Sequence, residues 1–177
     1  MSRPNLIDTA DDDADGRLAD TFGDLALTML HQSPLTDAWR VNFLANMFVG
    51  PIYQEFDARF GLTRPEFVVL FTLSQRPGIV ARDICLATGL PKNSISRAVV
   101  NLGERGLIVR APHQGDGRAK RLALTDAGAA MVEETVPLVH ARQRSMMAAL
   151  TPAEKATFDA LLLKLIADIP SWVGRRD

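Results

Sequence analysis

Five polar side chains crowd the start of one helical run directly after Pro91: Lys92, Asn93, Ser94, Ser96 and Arg97. In the same run Ile95, Ala98, Val99 and Leu102 recur at i, i+3, i+4 and i+7, so they share one face. Burial of that face turns Asn93, Ser96, Arg97 and Val100 outward and leaves Lys92 and Ser94 on the flanks. Short donors near a helix N-terminus, with an arginine one turn further on, have the chemistry to read base edges in a DNA major groove. Arg pairs bidentately with guanine and Asn with adenine, and Val100 offers an apolar contact to a thymine methyl. An ordinary solvated helix face would carry the same residues, but the segment after this helix weighs against that reading.

After Gly106 comes a short β-branched run, Leu107-Ile108-Val109-Arg110, then the turn-rich Pro112-His113-Gln114-Gly115-Asp116-Gly117, then Arg121-Leu122-Ala123-Leu124. This pattern predicts a β-hairpin. Gly115 and Gly117 keep its tip slim enough for a narrow minor groove, where an inserted arginine gains from the concentrated negative potential. Arg118 is the candidate, steadied by Asp116 two residues earlier, with Lys120 and His113 as further DNA contacts.

Other chemistry is absent from the pattern. Cys85 stands alone, which excludes an intramolecular disulfide, and reads as a small core residue. His31, His113 and His140 fall in three different elements without metal-site spacing. No Ser/His/Asp set, carboxylate pair or phosphate-cradling loop occurs in a suitable context, so neither an enzyme, a metal nor a cofactor is expected.

The elements around these residues follow from punctuation. Residues 1–16 are polar, acidic and aperiodic, and are expected to be a disordered arm. Leu18, Phe22, Leu25, Ala26, Met29 and Leu30 predict one amphipathic helix ending near Gln32-Ser33-Pro34. A second helix opens at Leu35, and Gly50-Pro51 predicts a kink in it, or a break and restart. Its apolar face carries Trp39, Phe43 and Met47 beside Leu44, Phe48, Ile52, Phe56 and Phe60, a width that one small domain would struggle to cover. Thr63-Arg64-Pro65-Glu66 is a capping box with Leu62 and Phe67 at staple positions. Its helix runs to Arg76-Pro77-Gly78, a short helix spans residues 80–88, and Gly89 joins it to the run from Pro91 in a helix-turn-helix arrangement. Thr125-Asp126 caps a long helix to about residue 149. Thr151-Pro152-Ala153-Glu154 caps the last, whose Phe158, Leu161, Leu162, Leu165, Ile166 and Ile169 form a face in need of a partner.

The 177 residues carry 20 basic and 21 acidic side chains, a formal charge of −1 that by itself argues against a nucleic-acid binder. The partition says otherwise. Residues 3–24 hold two basic and seven acidic side chains, whereas residues 76–121 hold nine basic and three acidic. The longest apolar stretch is interrupted by Asn42, Asn46 and Gly50-Pro51, and the first residues have no signal-type apolar core. A cytoplasmic protein without membrane contact is expected.

Residues 102–110, Leu-Gly-Glu-Arg-Gly-Leu-Ile-Val-Arg, and 116–128, Asp-Gly-Arg-Ala-Lys-Arg-Leu-Ala-Leu-Thr-Asp-Ala-Gly, closely resemble the MarR family of winged helix-turn-helix regulators. They match its Leu-x-x-x-Gly-Leu-[Val/Ile]-x-Arg and Asp-x-Arg-x-x-x-[Val/Leu]-x-Leu-Thr-x-x-Gly patterns, and the resemblance spans residues 62–169. It implies a mainly α fold with a small β-hairpin wing, in which a winged helix-turn-helix lobe (62–125) joins a helical dimerisation domain built from both chain ends (17–61 and 126–177). It further implies a homodimer on palindromic double-stranded DNA, acting as a repressor and released by a small, often aromatic, effector. Gly117 stands where relatives often have a second basic residue, Val80 replaces the usual Ser or Thr cap, and Pro137 lies inside a helix where only a bend is expected.

Trp39, Phe43, Met47, Phe67 and Phe71 are candidates to line an effector pocket, with Arg40 meeting a carboxylate. An aromatic stripe at this spacing is more often dimer core, and both readings stand. A winged-helix module that docks a protein, or a non-specific DNA binder without effector response, is the alternative reading of the whole.

Overall fold

Glycine conformation sets the first boundary. In the computed structural model, which describes residues 11–113 and 116–174, Gly23 has φ +80° and separates α1 (Asp11–Phe22) from α2 (Asp24–His31). The single helix expected here is therefore two. Residues 11–16, expected to be irregular, form the start of α1, where Asp13 pairs with Arg17 one turn on. Within α2, Leu25 and Leu30 lie five residues and about 140° apart around the helix, and Leu25 is exposed while Leu30 is buried.

The structure divides into two compact units, Met1–Gly50 and Pro51–Asp177, and α3 (Thr36–Phe60) crosses the division. Within the first unit Phe22 meets Phe43 edge-on at 5.2 Å, and His31 Nε2 lies 3.2 Å from the Asp15 carboxylate. Arg40 Nε donates to the Leu30 carbonyl at 2.9 Å, so this arginine closes the C-terminal turn of α2. Of the two outcomes expected at Pro51, a kink or a break and restart, the break does not occur: α3 continues through it as helix.

The second unit contains α4 (Arg64–Gln75), α5 (Ala81–Thr88), α6 (Lys92–Glu104), the antiparallel pair β1 (Ile108–His113) and β2 (Asp116–Leu124), α7 (Asp126–Met147) and α8 (Pro152–Val173). Its core gathers Phe56, Leu62, Val69, Leu70, Leu73, Ile84, Ile95, Leu102 and Leu122, all fully buried. Burial of these side chains supplies the main driving force for this fold. Both α7 and α8 run through their internal prolines, Pro137 and Pro170, as helix.

Glu66 joins two helices of this unit. Its carboxylate accepts from the Thr63 amide and hydroxyl, each at 2.8 Å, and from Asn101 Nδ2 at 3.3 Å. The N-terminus of α4 is thereby tied to α6, and a buried charge is satisfied by three donors. At α5, Val80 has no side-chain acceptor, and the cap is the Asp83 carboxylate accepting from the Val80 amide at 3.2 Å. Backbone bonds from Gly78 to Leu122 (2.8 Å) and from Leu122 to Ile79 (2.9 Å) attach the segment after α4 to the outer edge of β2.

Candidate nucleic-acid interface

The division of α6 into two faces is sharp. Ile95 and Leu102 are wholly buried and Ala98 and Val99 nearly so, while Lys92, Asn93, Ser96, Arg97 and Val100 are exposed and Ser94 is half-buried. All the polar candidates on this helix therefore lie off the core face. Pro91 caps α6 without a side-chain bond, and its first turn holds no acidic residue. The amides there and the positive end of the helix dipole are compatible with phosphate. Gly89, at φ +70°, provides the left-handed turn that ends α5 and lets the chain re-enter as α6.

The hairpin is longer than expected, with strands that reach His113 and begin again at Asp116. Ile108 pairs with Leu124, Arg110 with Leu122 and Pro112 with Lys120, and the register shifts between Pro112 and His113. Lys120 and Arg121 are exposed on β2. The side chains of His113 and Arg118 lie outside the described residues.

Not every arginine of the basic block faces outward for a ligand. Arg105 places Nη1 and Nη2 each 2.9 Å from the carbonyl oxygens of Gly61 and Phe60, a two-pronged cap on the end of α3. Arg110 reaches from β1 to α6, where Nη2 donates to the Val99 carbonyl at 2.7 Å. Periodicity could not reveal either role, since both contacts depend on how the chain returns in space.

Thr125 and Gly128 give the sequence motif its physical content. The Thr125 hydroxyl accepts from the Gly128 amide at 3.1 Å and donates to the Gly106 carbonyl at 2.7 Å, and the Thr125 amide donates to the Leu107 carbonyl at 3.1 Å. The helix cap and the strand junction are one unit.

A cleft of about 320 Å³ lies among Tyr53, Arg64, Val68, Phe71, Thr72 and the Thr88–Leu90 turn. The Arg64 guanidinium stands 5.8 Å from the centre of the Tyr53 ring. Burial pushes the Tyr53 hydroxyl above the ordinary tyrosine range, and the charge of Arg64 pulls it part of the way back. Of the effector candidates, Phe71 lines this cleft, and Phe67 stacks on it at 5.9 Å from within the core. Trp39, Arg40, Phe43 and Met47 lie on the part of α3 that belongs to the first unit. Tyr53 and Arg64 were missed because they lie in different helices, α3 and α4, so no single helical period relates them.

Among the described residues no group of three His, Cys, Asp or Glu side chains could hold a metal ion, and no helix is long and apolar enough to cross a membrane.

These features define a winged helix-turn-helix DNA-binding lobe, and comparison with known proteins agrees. Residues 60–119 match the model of the MarR family. An HTH-type transcriptional repressor of Mycobacterium tuberculosis is 30% identical over 108 residues, covering 61% of this chain and 78% of the relative. The structure of a MarR-family transcriptional regulator from Silicibacter pomeroyi is similar at a TM-score of 0.68 and 27% identity, over 75% of this chain and 89% of that one. Bordetella bronchiseptica BpsR, whose DNA binding is regulated by 6-hydroxynicotinic acid, is similar at a TM-score of 0.59 and 27% identity, over 71% of this chain and 98% of that one. The chain belongs to the MarR family and is a DNA-binding transcriptional regulator.

Proposed function

We propose that the protein is a homodimeric repressor that places two α6 helices in successive major grooves of a palindromic operator, with each hairpin tip in the flanking minor groove. The observation that carries this reading is the two-faced α6, sealed on one side by Ile95, Ala98, Val99 and Leu102 and open on the other at Asn93, Ser96, Arg97 and Val100. Lys92, Ser94, Lys120, Arg118 and His113 supply the backbone contacts. The exposed apolar face of α8, where Leu161, Leu165 and Ile166 are each more than half accessible, supports a second copy as its cover.

Release by a small aromatic effector is part of the proposal. The Tyr53–Arg64 cleft has the size and the single cation suited to an aromatic acid, and its floor includes the turn that leads into α6. The regulated DNA binding of BpsR supports this. On α3, Trp39, Arg40, Phe43 and Met47 remain with the effector or the dimer core as the two uses of one face, while Phe67 backs the cleft behind Phe71.

The test is a gel-retardation series on selected genomic fragments at rising salt. Affinity should fall steeply from low to moderate salt as counterions compete for phosphate. A flat series, or a folded monomer at micromolar concentration in sedimentation, would sink the reading.

A further inference from the structure

Gly103, the penultimate residue of α6, is an unfavourable choice for a helical position. Glycine is entropically costly in a helix, and although the Gly103 carbonyl accepts from the Gly106 amide at 3.1 Å in the C-terminal cap, the left-handed turn is made by Gly106 at φ +68° and does not require a glycine at 103. Space explains it. A β-carbon at this position would stand 2.9 Å from Arg110 Nη2, 3.3 Å from Nε and 3.4 Å from Cζ, so the guanidinium lies flat across the bare glycine. From this seat Nη2 donates to the carbonyls of Val99 at 2.7 Å and Val100 at 3.4 Å. The last turn of α6 has no basic residue of its own. Arg110 supplies from β1 the positive charge that the negative end of the helix lacks.

This link joins the two parts of the lobe that the proposed function assigns to adjacent grooves. Arg110 belongs to the hairpin, paired with Leu122 across it, while Val99 and Val100 belong to the helix. Val100 itself is on the open face. We infer that Arg110 is a positioning residue for DNA recognition: seated on Gly103, it fixes the hairpin against α6 so that both meet their grooves in register. It governs discrimination between sequences and is not one of the phosphate contacts. The inference rests on the DNA-reading role of α6 and the hairpin proposed above.

The test compares the full-length protein with Arg110→Met, Gly103→Ala and the double variant on a selected operator fragment and a random-sequence duplex, each over a salt series and with a melting curve. Gly103→Ala leaves Arg110 in place and displaces only the far end of a flexible side chain. Alanine is also the better helix former, so the melting temperature should hold or rise. Both single variants should lose about tenfold or more on the operator, the order of one charge-assisted hydrogen bond, with random-sequence affinity and salt slope unchanged. The double variant should be no worse than Arg110→Met, because both changes remove the same interaction. Equal losses on both DNAs, with the salt slope reduced by about one phosphate, would identify Arg110 as a phosphate ligand and overturn the inference. Unchanged operator affinity in either single variant would also overturn it. A wild-type protein that retards no fragment would instead remove the proposed function on which it rests.

Discussion

A β-carbon on Gly128 would stand 2.0 Å from the carbonyl oxygen of Leu107. The first turn of α7 therefore lies directly on the backbone that leads into β1, and only glycine permits the approach. Because the obstacle is main chain, it cannot swing aside as a side-chain tip can. Gly128→Ala should destabilise the fold by roughly 3 kcal/mol or more, the range of severe overpacking. A lower urea midpoint at unchanged slope would report it, whereas wild-type stability would show that the junction yields easily.

Arg105 should behave as part of the fold despite lying in the basic block. Its guanidinium caps the end of α3 through two carbonyls, and the side chain is exposed, so Arg105→Ala should cost only about 1 kcal/mol. The salt dependence of DNA binding should not change. A slope reduced by one phosphate would reassign this residue to the interface.

Residues of the proposed interface should separate into two kinds. Asn93→Ala and Arg97→Ala should narrow the gap between operator and random DNA, by about 1 to 3 kcal/mol for each base-edge interaction removed. Lys120→Ala and Arg118→Ala should weaken both DNAs together and flatten the salt series. Uniform losses from all four would indicate binding without base readout.

Tyr53 is the one tyrosine of the chain, so its ionisation can be followed by absorbance without ambiguity. Burial raises its pKa, which means that the fold favours the neutral phenol. This contribution to stability is complete below the unfolded value of about 10 and is lost as pH rises through the folded one. The phenolate signal should therefore appear at higher pH in the folded protein than after unfolding. Arg64→Gln should move it higher still, because the charge that opposes the shift is gone. A midpoint at the free-tyrosine value would mean that water reaches the hydroxyl freely.

The sequence was most informative where one period or one local motif decides the outcome. The 3.6-residue spacing of Ile95, Ala98, Val99 and Leu102 fixes which side of α6 is open, and Thr63, Thr125 and Thr151 mark three helix starts through interactions within a few residues. It was least informative where side chains of different elements meet. Nothing near Arg110 announces Gly103, and nothing near Arg64 announces Tyr53. Near the N-terminus, one residue misled the reading: Gly23 adopts a positive φ and divides a run whose apolar spacing alone predicts one helix.

Thr125 is the only residue between the end of β2 and the start of α7. With its hydroxyl and amide committed to both sides of the junction, that joint has no slack, and the DNA-reading lobe has no internal hinge between hairpin and long helix. In the proposed effector-responsive homodimer, a ligand acting on such a body would shift it as a block. Its response would then be a change in the gap between two reading heads, as in a caliper with rigid jaws, so an operator with altered half-site spacing should mimic or cancel the effect of the ligand.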